Sequence, residues 1–203
     1  MRILLASKNL GKIKEFRQLL GGIDLIPLPV DAPDIPENGA FFKDNAIQKA
    51  EFARKWFLNH EKSIIDGVLA DDSGLCIDAL CGAPGVLTAR FANSINQHAR
   101  NELLLSRMPK NKSRSAQFVC VLAWISIAGE LSIFDGIMNG KLAIAPKGIH
   151  GFGYDPIFIP DGFDKTLGEL SHEVKHQISH RNKAVHAFLD VIKIGTDIKN
   201  IKS

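Results

Sequence analysis

The sequence predicts a mixed α/β fold, and three observations carry it. Strand-like apolar runs alternate with helix-period stripes through the first third of the chain. Two later strand patterns flank Ala128-Gly129 and read as a hairpin. Hydrophobic content is 45% and charged content 23%, which is ordinary for a globular chain and argues against disorder.

The elements follow in order. RILLA, from Arg2 to Ala6, is an apolar run expected as a buried strand. Ile13, Phe16, Leu19 and Leu20 then form one stripe of a helix, which Gly21-Gly22 stops. DLIPL predicts a second short strand, and the proline-rich VDAPDIPENG a loop. Ala46, Ala50, Ala53 and Phe57 fall at helical spacing within a long helix expected over 40–58. GVLAD, from Gly67 to Asp71, is a strand expected to run into a turn at Asp72-Ser73-Gly74. CGAPGV is a loop, and Ile95 to Met108 predicts another helix.

The hairpin strands are expected over Gln117–Ile127 and Leu131–Asn139. KGIHGFGYDP is a glycine-rich loop. A last amphipathic helix is expected over 180–194, with Ala184, Phe188 and Val191 on one face, and the tail GTDIKNIKS is expected to be loosely held. With no internal repeat and no linker, residues 1–203 read as one domain.

Bulk properties limit the function. The net charge of +3 suits an anionic substrate but is small for a nucleic-acid binder, and no basic tract is interleaved with aromatics. Cys76, Cys81 and Cys120 make an odd count without a C-x-x-C pair, as expected of reduced thiols. ILLA is too short for a signal-peptide core. The longest apolar run, Phe118 to Ala128, is too short to span a bilayer as a helix. The expectation is a soluble, cytoplasmic protein with no membrane partner.

Four stretches bear chemistry. Ser7-Lys8-Asn9-Leu10-Gly11-Lys12 opens the first helix, where unpaired N–H groups and a lysine suit phosphate; a capped helix with solvated lysines would look the same. Glu37, Asp71 and Asp72 offer hard oxygen donors to Mg²⁺, for which one or two carboxylates suffice. Asp71 and Asp72 should face opposite ways, one into a cleft and the other tying down a turn. In Gly151-Phe152-Gly153-Tyr154-Asp155-Pro156 the two rings offer flat surfaces to a base and Asp155 can accept a ring N–H. The alternative is a loop packed by its own aromatics. Finally, His172-Glu173-x-x-His176 matches a zinc-hydrolase signature. His180 extends that row, but histidines at i, i+4 and i+8 climb a helix rather than converge.

Taken together and in order, SKNLGK, ENG then DNAIQKA, ADDSGL, GAPGVLTAR, KGIHGFGYDPIF and EVKHQISHR resemble the inosine triphosphate pyrophosphatases, from Ile3 to about Phe188. In that frame His180-Arg181 matches the family's S-H-R, and HEVKH is a coincidence upstream of it. The resemblance implies an elongated mixed β-sheet with flanking helices, two lobes around a central groove, and a homodimer. It implies Mg²⁺-dependent hydrolysis of deaminated purine nucleoside triphosphates to monophosphate and pyrophosphate.

Residue by residue, the resemblance gives Ser7, Asn9 and Lys12 to triphosphate binding and Glu37 to the metal. It gives Lys49 to phosphate, Asp72 to proton acceptance beside the metal, and Ser73 to a substrate contact. Phe152, Gly153, Tyr154 and Asp155 hold the base, and Lys175, His180 and Arg181 complete the nucleoside clamp. The sequence departs from the family at Ser7, where threonine is commoner, at Cys81, where glycine is usual, and at Leu87-Thr88, where an aromatic-serine pair is frequent. Two rival functions remain: a zinc hydrolase, and a non-catalytic nucleotide-binding protein.

Overall fold

In the computed structural model, residues 1–61, 63–92 and 96–201 are described. Six strands and five α-helices follow the order β1 (Arg2–Leu5), α1 (Leu10–Leu19), β2 (Asp24–Pro27), α2 (Phe42–His60), β3 (Gly67–Ile77), α3 (Gln97–Ser106), β4 (Ser115–Ser126), β5 (Leu131–Leu142), β6 (Phe158–Pro160), α4 (His172–Ile178) and α5 (His180–Ile201).

The sheet is mixed, in the order β2-β1-β3-β4-β5-β6. β1 lies parallel to both β2 and β3, with Ile3 opposite Leu25 and Gly67. Such parallel neighbours need a crossover, which α1 and α2 provide. At the other edge β6 runs antiparallel to β5, pairing Lys141 with Ile159. β4 and β5 are joined by Ile127–Glu130, with Gly129 at φ 92°. The expected hairpin is there, its second strand three residues longer than anticipated.

Two compact units divide the chain. The first holds Met1–Asp72, Val121–Asp135 and Arg181–Ser203; the second holds Ser73–Cys120 and Gly136–His180. In the first unit Ile3, Leu4, Leu5, Phe16, Val68 and Leu69 are buried, and Phe188 of α5 packs its ring against Trp124 and Phe134 at 5.3 and 5.6 Å. The second unit is built around Leu75, Ile77, Leu104, Phe118, Tyr154, Ile157 and Phe158.

Several expectations change. The anticipated turn at Asp72-Ser73-Gly74 is instead the middle of β3, which runs unbroken to Ile77. The carboxylates there are paired with lysines from α1 and α2, Lys12 on Asp71 and Lys49 on Asp72. The long helix is Phe42–His60, two residues later than expected at each end. The helix expected from Ile95 runs Gln97–Ser106, and Ile95 itself lies outside the described residues. Asn96 caps it, its Oδ1 accepting the Ala99 N–H at 2.9 Å. α5 continues to Ile201, beyond the expected 194, with no proline in that stretch to stop it.

Candidate active site

α1 begins on a tight cap. Asn9 Oδ1 accepts the Lys12 N–H at 3.1 Å and Ser7 Oγ accepts the Asn9 N–H at 3.2 Å. These caps fix the first helical turn and aim Lys12 at β3, where its Nζ lies 2.9 Å from Asp71 Oδ2. On the same helix, Glu15 receives Arg181 Nη1 from the start of α5 at 2.6 Å. Arg181 Nε stands 3.7 Å from Asp71 Oδ2, so Asp71 has two cations on it.

Asp72 faces a different set, as strand alternation requires. Lys49 Nζ of α2 donates to Asp72 Oδ1 at 3.1 Å and to Glu37 Oε1 at 2.7 Å. Asn45, one helical turn before Lys49, donates Nδ2 to Asp72 Oδ2 at 3.0 Å. Asn45 Oδ1 in turn accepts the Gly39 N–H at 2.8 Å, which anchors the loop carrying Glu37. A Cβ at Gly39 would collide with the Asp44 and Asn45 side chains, so only glycine lets that loop approach α2.

The two adjacent acids are driven apart electrostatically. Burial disfavours the Asp71 charge, but Lys12, Arg181 and Lys49 together outweigh it and hold the carboxyl well below the usual range. Burial dominates at Asp72, and Asp71 adds repulsion; Lys49, the Asn45 hydrogen bond and Lys12 offset these only partly, so its carboxyl is raised. Burial also opposes the Lys49 charge, yet Asp71, Asp72 and Glu37 prevail and raise the ammonium. Adjacent acids pushed in opposite directions suit different tasks: a fixed counter-charge and a proton acceptor.

The donor set fits a divalent cation. Glu37 and Asp72 present hard carboxylate oxygens to one shared point of positive charge, which Lys49 supplies here.

The second unit holds the glycine-rich loop. Gly151 and Gly153 adopt φ of 75° and 64°. A Cβ at Gly151 would run into the Asp155 carboxylate, which accepts the Phe152 N–H at 2.8 Å and Lys175 Nζ at 2.6 Å on the same Oδ2. Lys175 Nζ also sits 4.8 Å over the Phe152 ring, a cation–π contact. Of the two rings expected to offer a flat surface, Phe152 is half-buried. Tyr154 is not open: it is 3% exposed within the core, its hydroxyl donates to the Thr88 carbonyl at 3.2 Å, and burial raises its pKa to about 12. Asp155 Oδ2 is engaged by its own loop and by Lys175. His180 is buried with its ring stacked on Phe118 at 4.9 Å, and Ser73 is half-buried on β3.

Three contributors escaped the sequence reading. Asn45 stands four residues before Lys49, which the sequence had marked, a spacing that puts both on one face of α2. Glu15 follows Lys12 by three, a similar signal. Asn101 is 1% exposed in α3 and reaches the Gly153 carbonyl; a lone asparagine in a helical stripe carried no mark.

The structure gives the zinc alternative no support. α4 ends at Ile178 and Ser179 is extended, so His180 opens a separate helix rather than extending the His172, His176 row. Among the described residues, no group of three or more His, Cys, Asp or Glu could hold a metal.

The sequence profile of the Ham1 family matches residues 3–191. The chain belongs to the Ham1 family. Among its Ham1 relatives is a dITP/XTP pyrophosphatase of Oceanobacillus iheyensis, 44% identical over 193 residues, covering 91% of this chain and 94% of that protein. Another, from Nautilia profundicola, is 42% identical over 189 residues, covering 91% and 94%. The Staphylococcus aureus Ham1 protein superposes with a TM-score of 0.82 at 37% identity, covering 95% of this chain and 98% of that one. A Ham1 protein from Coxiella burnetii gives 0.83 with the same identity and coverage.

Proposed function

We propose that this Ham1 protein hydrolyses deaminated purine nucleoside triphosphates (ITP, dITP and XTP) to the monophosphate and pyrophosphate, with Mg²⁺ as cofactor. The observation that carries the reading is the buried charge set around β3. There Lys12, Lys49 and Arg181 meet Asp71, Asp72 and Glu37 within one unit. The relatives named dITP/XTP pyrophosphatases support the substrate class.

Lys12 and Lys49 offset the charge of the triphosphate, while Ser7 and Asn9 add short polar contacts at the start of α1. Asp72 takes the proton of a water as its oxygen bonds to the α-phosphorus. The bond from that phosphorus to the bridging oxygen breaks, and pyrophosphate leaves. Asp72 suits this task because burial has raised its proton affinity. Glu37 and Asp72 would hold the magnesium, which when bound supplies neutralisation at the phosphate oxygens.

Base selection falls to Phe152, Gly153, Tyr154 and Asp155 with Lys175, His180 and Arg181, and Ser73 contributes a substrate contact. Tyr154 acts from the core, as a rigid backing for the loop. A 6-oxo purine accepts hydrogen bonds from His180 and Arg181, whereas adenine would leave such donors unmet. The reading extends to a cytoplasmic homodimer without nucleic-acid or membrane partners. The small net charge supports the nucleic-acid part of this reading, and among the described residues no helix is long and apolar enough to cross a membrane.

A nucleotide panel with Mg²⁺ tests the reading, scoring monophosphate, pyrophosphate and orthophosphate separately. Pyrophosphate released from ITP and XTP but not ATP is the expected result. Orthophosphate release, or binding without turnover, would overturn it.

A further inference from the structure

We infer that Asn101 of α3 is a positioning residue for nucleotide selection, holding the glycine-rich loop in its working shape. The inference rests on the base-contact reading of residues 152–155 and goes beyond it.

Asn101 is 1% exposed, and both ends of its amide are committed. Nδ2 donates to the Gly153 carbonyl at 3.1 Å, and Oδ1 accepts Gln97 Nε2 at 3.0 Å from one turn earlier in α3. A buried amide is costly unless paired, so its place beside apolar Leu104 needs a polar task, and the Gly153 carbonyl supplies it. The anchored residue is the one with the most freedom. Gly153 sits at φ 64°, with no heavy atom near the place a Cβ would take. It has no side chain with which to hold itself, and glycine roams widely in backbone angle.

The neighbouring residues are tied elsewhere. Tyr154 is bonded to Thr88, and Asp155 to Phe152 N–H and Lys175. Asn101 therefore secures the carbonyl midway between Phe152 and the core-anchored Tyr154. It sets the angle at which the Phe152 ring is presented. It touches no reacting atom, so its loss should weaken binding of the right nucleotide while the chemical step, once reached, keeps its rate.

The test compares Asn101→Leu, of similar volume but without a donor, with Leu104→Ala in the same helix, which thins the same core but leaves the Asn101–Gly153 hydrogen bond in place. Steady-state kinetics with ITP and ATP are read beside thermal melts. We expect Asn101→Leu to raise KM for ITP about tenfold, as losing one buried hydrogen bond allows, with kcat within about twofold and the ITP/ATP kcat/KM ratio reduced. Leu104→Ala should lower Tm but leave that ratio alone. Should Asn101→Leu fail to melt cooperatively, Asn101→Ser replaces it, and a shorter hydroxyl should give a smaller KM rise in the same direction. An unchanged ratio, a fall in kcat alone, or an equal shift in Leu104→Ala would overturn the inference. Phe152→Ala separates the two readings. If it also leaves the ratio intact, the base-contact reading fails. If it changes the ratio while Asn101→Leu does not, only the inference about Asn101 fails.

Discussion

Lys49 donates its ammonium to Asp72 at 3.1 Å while keeping Glu37 at 2.7 Å. One cation thus spans the two carboxylates assigned to a second one. Lys49→Met should therefore tighten divalent-cation binding in the nucleotide-free protein. A rise of at least about tenfold in Mn²⁺ affinity by titration calorimetry is expected, since two close unit charges repel by about 4 kcal/mol at an intermediate dielectric. KM for ITP should rise in the same variant, because the proposed phosphate contact is gone. Weaker Mn²⁺ binding would contradict a shared cation position.

Asp72→Asn keeps the shape of the side chain and its contact distance to Asn45 but cannot take a proton. General-base assistance is worth about 10²–10⁴-fold, so kcat should fall by that factor while KM moves little. Near-normal kcat in steady-state assays would remove Asp72 from the mechanism.

Asp71 bears on stability. Its carboxyl is held below the ordinary value, so its contribution is complete above about pH 4, the unfolded value, and is lost as pH falls towards the folded one. Asp71→Asn leaves Lys12 and Arg181 facing an amide and should cost about 3–5 kcal/mol at neutral pH. Denaturant melts should show the gap between wild type and variant narrowing below about pH 4. A gap that widens with acidity would show the opposite sign.

Gly67 sets how closely β3 approaches its neighbour in the first unit. A Cβ there would enter the Trp124 ring and the Ile125 carbonyl. Gly67→Ala should lower stability by about 1–3 kcal/mol, seen in Tm, with KM unchanged.

Arg181→Ala should erode preference for ITP over ATP, read as relative kcat/KM. It should also destabilise the protein, because Glu15 and Asp71 lose a partner. Unchanged relative values would remove Arg181 from base selection.

Period-based features were legible in the sequence. β1, α1, α2, the β4–β5 hairpin and the start of α5 follow from apolar spacing, which a single stretch of chain carries by itself. Compensation at a distance was not legible. Asp72-Ser73-Gly74 has the composition of a turn, and the partners that pair its acid and the preceding Asp71 within a strand come from α1, α2 and α5. Tyr154 looked like an open ring beside Phe152, but its hydroxyl has a partner at Thr88, far away in sequence. The Arg181–Glu15 pair spans 166 residues, and no local pattern announces it.

That span has a consequence for synthesis. Asp71 and the Trp124–Phe134 rings are made well before the arginine and phenylalanine that complete them, Arg181 and Phe188. Until then a nascent chain carries an under-neutralised acid and an uncovered aromatic surface, both of which invite chaperones. Products of premature termination before residue 181 would keep those defects permanently, and should be cleared by proteases rather than accumulate as half-active enzyme.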